Sequence, residues 1–225
     1  MSHNAHSDHE PHDDNGQFRI DDPSAIVDGK SIAQWTQDWW TWAMQSDADR
    51  NPSNDPTGAC ASRHNHGDVF FIGGVPLVAN TANVSESAER NFRVPHDTPL
   101  LVPLINAFST LEDQADENQE LVQFLSSVKP NSLFLNIDGR PVDNLQSFKE
   151  VTDFFSLGLG RKGTAIEEFA QSVGTSVVGQ ELTPTKAAGY YVMVEGLGRG
   201  PHTLNFGAAT TNGFSVHVVD HIIVG

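Results

Sequence analysis

The sequence predicts a mainly β chain: an antiparallel β-sandwich, jelly-roll or immunoglobulin-like, carrying an N-terminal tryptophan-rich helix and one or two further helices. Three observations predict it. After Asn51 the chain breaks into short apolar runs punctuated by Gly, Pro and Asn, the spelling of strands and tight turns. Residues 190–194, 202–206 and 214–224 are β-rich and separated by Gly-rich turns, which suits a closing antiparallel meander. All four tryptophans, Trp35, Trp39, Trp40 and Trp42, fall within eight positions, at a spacing that belongs to one helix. At 225 residues such a sandwich forms a single domain.

Residues 1–28 read as a disordered or extended acidic tail. His3, His6, His9 and His12 recur at every third position beside Asp8, Glu10, Asp13 and Asp14. This composition builds no core, and it suits either a solubilising tail or a chelator of Zn²⁺, Cu²⁺ or Ni²⁺. Residues 29–225 then make the sandwich domain.

The first helix is expected from Ser31 to about Gln45. Ser31 and Gln34 match a capping box, each side chain meeting a free N–H of the other residue. Ile32, Trp35, Trp39 and Trp42 form one apolar stripe, which is a core face. Trp40 lies partly off the stripe and is the indole left for an outside contact, such as stacking on a sugar.

Residues 69–72, 100–105 and 133–137 are compact apolar runs expected to be strands. Asp138-Gly139 predicts a hairpin turn with its return arm at 140–142. Residues 111–128 carry apolar positions at helical spacing, and Pro130 ends that helix. Residues 165–173 read as helix and 154–159 as strand, with glycines between. No repeat of fixed period occurs.

The formal net charge of −16, from 13 Lys+Arg against 29 Asp+Glu, excludes nucleic acid and anionic membrane surfaces as partners, because both would be repelled. No stretch reaches the roughly 18 apolar residues of a membrane span, and no basic-then-apolar secretory signal opens the chain. The single cysteine, Cys60, forms no internal disulfide.

Taken together, these segments resemble a group of uncharacterised bacterial extracellular proteins. The shared pattern is a Trp-rich helix, here 35–42; an Asn-Pro turn followed by Asp and Gly, here 51–58; and a Phe-containing strand ending in Gly, here 69–73. An Arg before a Val-Pro strand ending in Asn follows at 90–106, and a Gly-Pro-His-Thr segment before the last strand at 200–206 and 214–224. A cysteine that pairs with the one after the turn in that group is replaced here by Phe92 and Arg93, so no disulfide carries over. The resemblance implies a secreted or cell-surface sandwich and assigns no reaction.

Two constellations point to metals. Asp47, Asp49, Asn51, Ser53 and Asp55 place oxygens at two-residue spacing, which suits Ca²⁺. A helix-loop-helix calcium loop is nonetheless broken by Pro52 and Gly58 at its required Gly and Glu positions, and Asn-Pro and Asp-Pro turns use the same residue types. His64 and His66 would share one face of an extended strand and bind a transition metal. With Gly58 they resemble the opening of a cupin motif that lacks its glutamate, and His96, His202, His217 or His221 would have to complete the site. No Gly-x-Ser-x-Gly elbow occurs. The residues therefore predict an extracellular or cell-surface interaction domain, calcium-dependent and self-associating through strand edges. The alternatives are a metal-dependent cupin-like enzyme using His64 and His66, and a carbohydrate-binding module using Trp40.

Overall fold

The computed structural model describes residues 18–65, 67–77, 81–111 and 114–225. The protein is mainly β and sandwich-like, with two five-stranded sheets and three helices among these residues. The first sheet has the order β1 (Arg19–Ile20), β10 (Thr185–Glu195), β6 (Leu100–Thr110) and β4 (Phe70–Phe71), with β9 (Lys149–Val151) also on β10. The second runs β5 (Ser85–Val94), β12 (Ser215–Val224), β11 (Gly200–Ala209), β7 (Phe134–Ile137) and β8 (Arg140–Pro141). A small hairpin, β2 (Ile26–Val27) with β3 (Lys30–Ser31), precedes α1 (Ile32–Gln45).

Alternation along the strands sets three layers. One core lies between the sheets and contains Phe70, Val102, Val192, Leu204, Phe206 and Val218. The opposite face of the first sheet, with Leu101, Tyr191 and Met193, packs under α1 and α3 (Ala165–Ser172). The helix α2 (Gln114–Ser127) lays Phe124 and Leu125 against the inter-sheet core.

The expected helices and the 138–139 turn are present, the turn with positive φ at both Asp138 and Gly139. Three expectations change. Residues 18–28 belong to the folded domain and not to the tail expected over 1–28, because β1 pairs with β10 and Phe18 and Ile20 pack on the core. The last three strands form no single meander: β10 belongs to the first sheet, the chain crosses at 196–199, and only β11 and β12 pair. The sandwich is also not wholly antiparallel, since β4 runs parallel to β6 and β5 parallel to β12. Residues 154–159 contribute only isolated bridges at Phe155 and Leu159.

The β5–β12 pair carries a buried ion pair in register, Arg90 opposite Asp220. The Arg90 Nε donates to Asp220 Oδ1 at 2.7 Å and Nη2 to Oδ2 at 3.0 Å. Its other N–H groups reach the carbonyls of Pro52, Gly73 and Gly74. The guanidinium thus joins the second sheet to the turn behind α1 and to the segment after β4. Gly73 must be glycine, since a Cβ there would lie 2.7 Å from Arg90 Nη1 and 3.0 Å from the Pro52 carbonyl oxygen.

Candidate functional site: a cleft at the open edge of β6

The tryptophans form a core, and every indole N–H is met. Trp35 donates to the Val27 carbonyl, Trp39 to Ile72, Trp42 to Arg63, and Trp40 to the Tyr191 hydroxyl at 2.9 Å. Trp40 is 1% exposed and packs on Phe108 at 4.5 Å between ring centroids. The outward Trp40 expected for sugar stacking is therefore corrected: Phe108 and Trp39 flank its ring and bury it, although it still borders the cavities described below. Burial pushes the Tyr191 hydroxyl far above its ordinary range, so it stays protonated.

The oxygens of the polar turn do not converge either. The Asn51 side chain donates to the Ala43 carbonyl and accepts from the Ser53 N–H, closing the end of α1. Asp55 accepts from Thr57 and from the Cys60 N–H at 2.7 Å. Its partial burial raises the carboxyl, and these hydrogen bonds outweigh that effect to leave it lowered. Asp47 pairs with Arg63, and Asp49 is exposed beside Arg50. The calcium reading gives way to turn capping. Burial and then the Asp55 charge push the Cys60 thiol up, which opposes a thiolate nucleophile.

His64 lies in a turn with φ of 51° and not on a strand; His66 lies outside the described residues, as do His3, His6, His9 and His12. His202 is held by Asp138 and the Gly198 carbonyl, His217 by Asn205 and His221 by Glu89. Among the described residues no three His, Cys, Asp or Glu side chains gather to hold a metal.

A different site is built where the first sheet stops. The register between β6 and β10 slips at Leu104, with Pro103 opposite Tyr191 and Ile105 opposite Tyr190. Leu104 is the extra residue of a β-bulge. Gly189 allows the close approach there, because a Cβ would meet the Ile105 carbonyl oxygen at 2.6 Å. Beyond the short β4, the second half of β6 borders a cleft of about 690 Å³. Phe108 and Asn106 line it from β6, Glu120, Gln123 and Phe124 from α2, and Phe214 from the turn before β12. A neighbouring cavity of about 320 Å³ shares Trp40, Leu77, Asn106 and Phe169 with it and reaches Ser53 and Asn54 of the polar turn. The Asn106 Nδ2 is shielded from solvent, and the side chain reaches toward the Tyr191 hydroxyl, where it acts against the burial that raises that group.

None of Asn106, Phe108, Gln123 or Phe124 stands out by residue type. A signal that could have found them is Pro103 inside an apolar strand, because a proline gives no N–H to a ladder and marks an unpaired edge.

On the same sheet the side chain of Glu150, on β9, has no hydrogen bond or ion pair among the described residues, and burial raises its carboxyl to about 7. It ionises near 4.5 once the chain unfolds. Between these values the folded state holds a proton that the unfolded state releases, so stability falls as pH rises through that window. Urea midpoints measured across it should decline in the native chain, and Glu150→Gln should flatten the decline. An unchanged slope would exclude Glu150 as its source.

Among the described residues, no helix is long and apolar enough to cross a membrane. No protein family, curated protein or solved structure matches the chain.

Proposed function

We propose that the protein is an extracellular or cell-surface binding domain that holds its ligand in the cleft beside β6. The cleft itself carries this reading: a volume of about 690 Å³ lined by aromatic rings and side-chain amides. Mostly apolar walls with a few fixed polar groups are the chemistry of a ligand site. The acidic surface and the resemblance to extracellular proteins support the location.

The test uses Gln123, an exposed residue of α2 on the cleft wall. Gln123→Trp fills the space without touching a core. Screened over arrays of peptides and of glycans, the native chain should capture ligands that Gln123→Trp binds at least about tenfold more weakly, equivalent to about 1.4 kcal/mol. Ligands held equally by both chains would place binding elsewhere and overturn the reading.

A further inference from the structure

The floor of the cleft is a backbone edge, and hydrogen-bond parity shows which peptide groups it offers. Pro99 and Leu101 accept from the N–H groups of Phe70 and Ile72, so before the bulge odd-numbered residues of β6 turn their peptide groups toward β4. Leu104 shifts this alternation by one. Leu111 N–H then donates to the Pro184 carbonyl on the β10 side. Odd-numbered residues after the bulge therefore face β10, and Asn106, Phe108 and Thr110 face the cleft. The β4 ladder ends at Leu101, and among the described residues no backbone group pairs with the cleft-facing side of Asn106 or Phe108.

An unpaired edge is a template for one more strand. The geometry points to strand addition: an extended segment of another protein, alternating lysine or arginine with apolar residues, pairs with β6 at Asn106 and Phe108. Side chains of such a strand alternate between two faces. One face meets Phe169 and Glu168 on the α3 side, the other Phe124 and Glu120 on the α2 side. Among the described residues, Glu120 and Glu168 are the only charged ones lining the two cavities, and the chain as a whole carries −16, so the strand that fits is cationic. A second copy of this chain fits less well: both copies carry that charge, and the edge strand β5, whose Asn91 N–H already donates to the Thr57 carbonyl, bears Glu86 and Glu89 beside Arg93.

Strand addition presupposes that the cleft is the ligand site, and the experiment separates the two. Short peptides of alternating lysine and valine, with alternating glutamate and valine as the control, are titrated into the full chain. Binding and amide hydrogen exchange are both followed. The lysine peptide should bind, more weakly as salt rises, and the glutamate peptide should not. Exchange at the Asn106 and Phe108 amides should slow at least about tenfold, while the amides of Ile105 and Ala107, already paired with β10, stay unchanged. N-methylating alternate peptide positions should weaken binding about five- to tenfold in one register and little in the other. A lysine peptide that Gln123→Trp excludes, yet that binds equally in both methylated registers and slows neither amide, overturns strand addition. So does a cleft that takes only glycans. In both cases the cleft remains the site, whereas binding untouched by Gln123→Trp overturns the site itself.

Discussion

Replacing Arg90 by alanine is expected to cost about 3 to 5 kcal/mol of folding stability, because it strips a buried carboxylate of its partner. Arg90 and Asp220 are 1% and 0% exposed, so water cannot take over the lost contacts. The same substitution leaves the carbonyls of Pro52, Gly73 and Gly74 without their donor, and unmet buried acceptors add to the loss. Urea unfolding measures the effect, and the double variant Arg90→Met with Asp220→Leu divides it. An isolated buried ion pair replaced by apolar residues of similar size is often neutral or stabilising. Here the double variant should recover part of the loss and remain below the native chain, since three carbonyls stay unsatisfied. A double variant as stable as the native protein would mean that the carbonyl contacts contribute nothing, and that Arg90 serves only Asp220.

Trp40→Ala should cost about as much, roughly 3 to 5 kcal/mol, through the cavity it opens between α1 and the first sheet. It also removes the donor to the Tyr191 hydroxyl, which is itself fully buried. Tyr191→Phe should be far milder, about 1 kcal/mol, because one hydrogen bond is lost and the packing is kept. In the double variant the losses should fall short of additive, as expected for side chains that share a contact. Additive losses by urea unfolding would show that the indole and the hydroxyl do not depend on each other. A loss below about 1 kcal/mol for Trp40→Ala would contradict a packed interior at this position.

Much of the local structure was legible from residues alone. Ser31 and Gln34 form the capping box, with the Ser31 N–H donating to Gln34 Oε1 at 2.9 Å. Pro130 follows α2, and Asp138-Gly139 makes its turn. These features depend on contacts within a few residues, where periodicity and turn chemistry act directly. Strand direction was not legible in this way. An apolar alternation reads the same whether its neighbour runs parallel or antiparallel, and β5 pairs with a strand some 130 residues away that only the crossing between sheets brings beside it.

The candidate site divides along the same line. By itself the sequence determined that the tryptophans share a capped helix, that the chain is strongly acidic, and that the segment behind the helix is turn-forming. Tertiary structure decided what each of these does. Trp40 became interior because Phe108 and Tyr191, from two strands of the first sheet, close over it. Asn51 and Asp55 became caps because backbone N–H groups lay nearer than any shared centre. The cleft lies where β4, two residues long, stops short of the eleven-residue β6, a mismatch that leaves β6 peptide groups unpaired among the described residues. Backbone hydrogen bonds are common to every residue, so which of them stay unpaired is a property of strand lengths and neighbours.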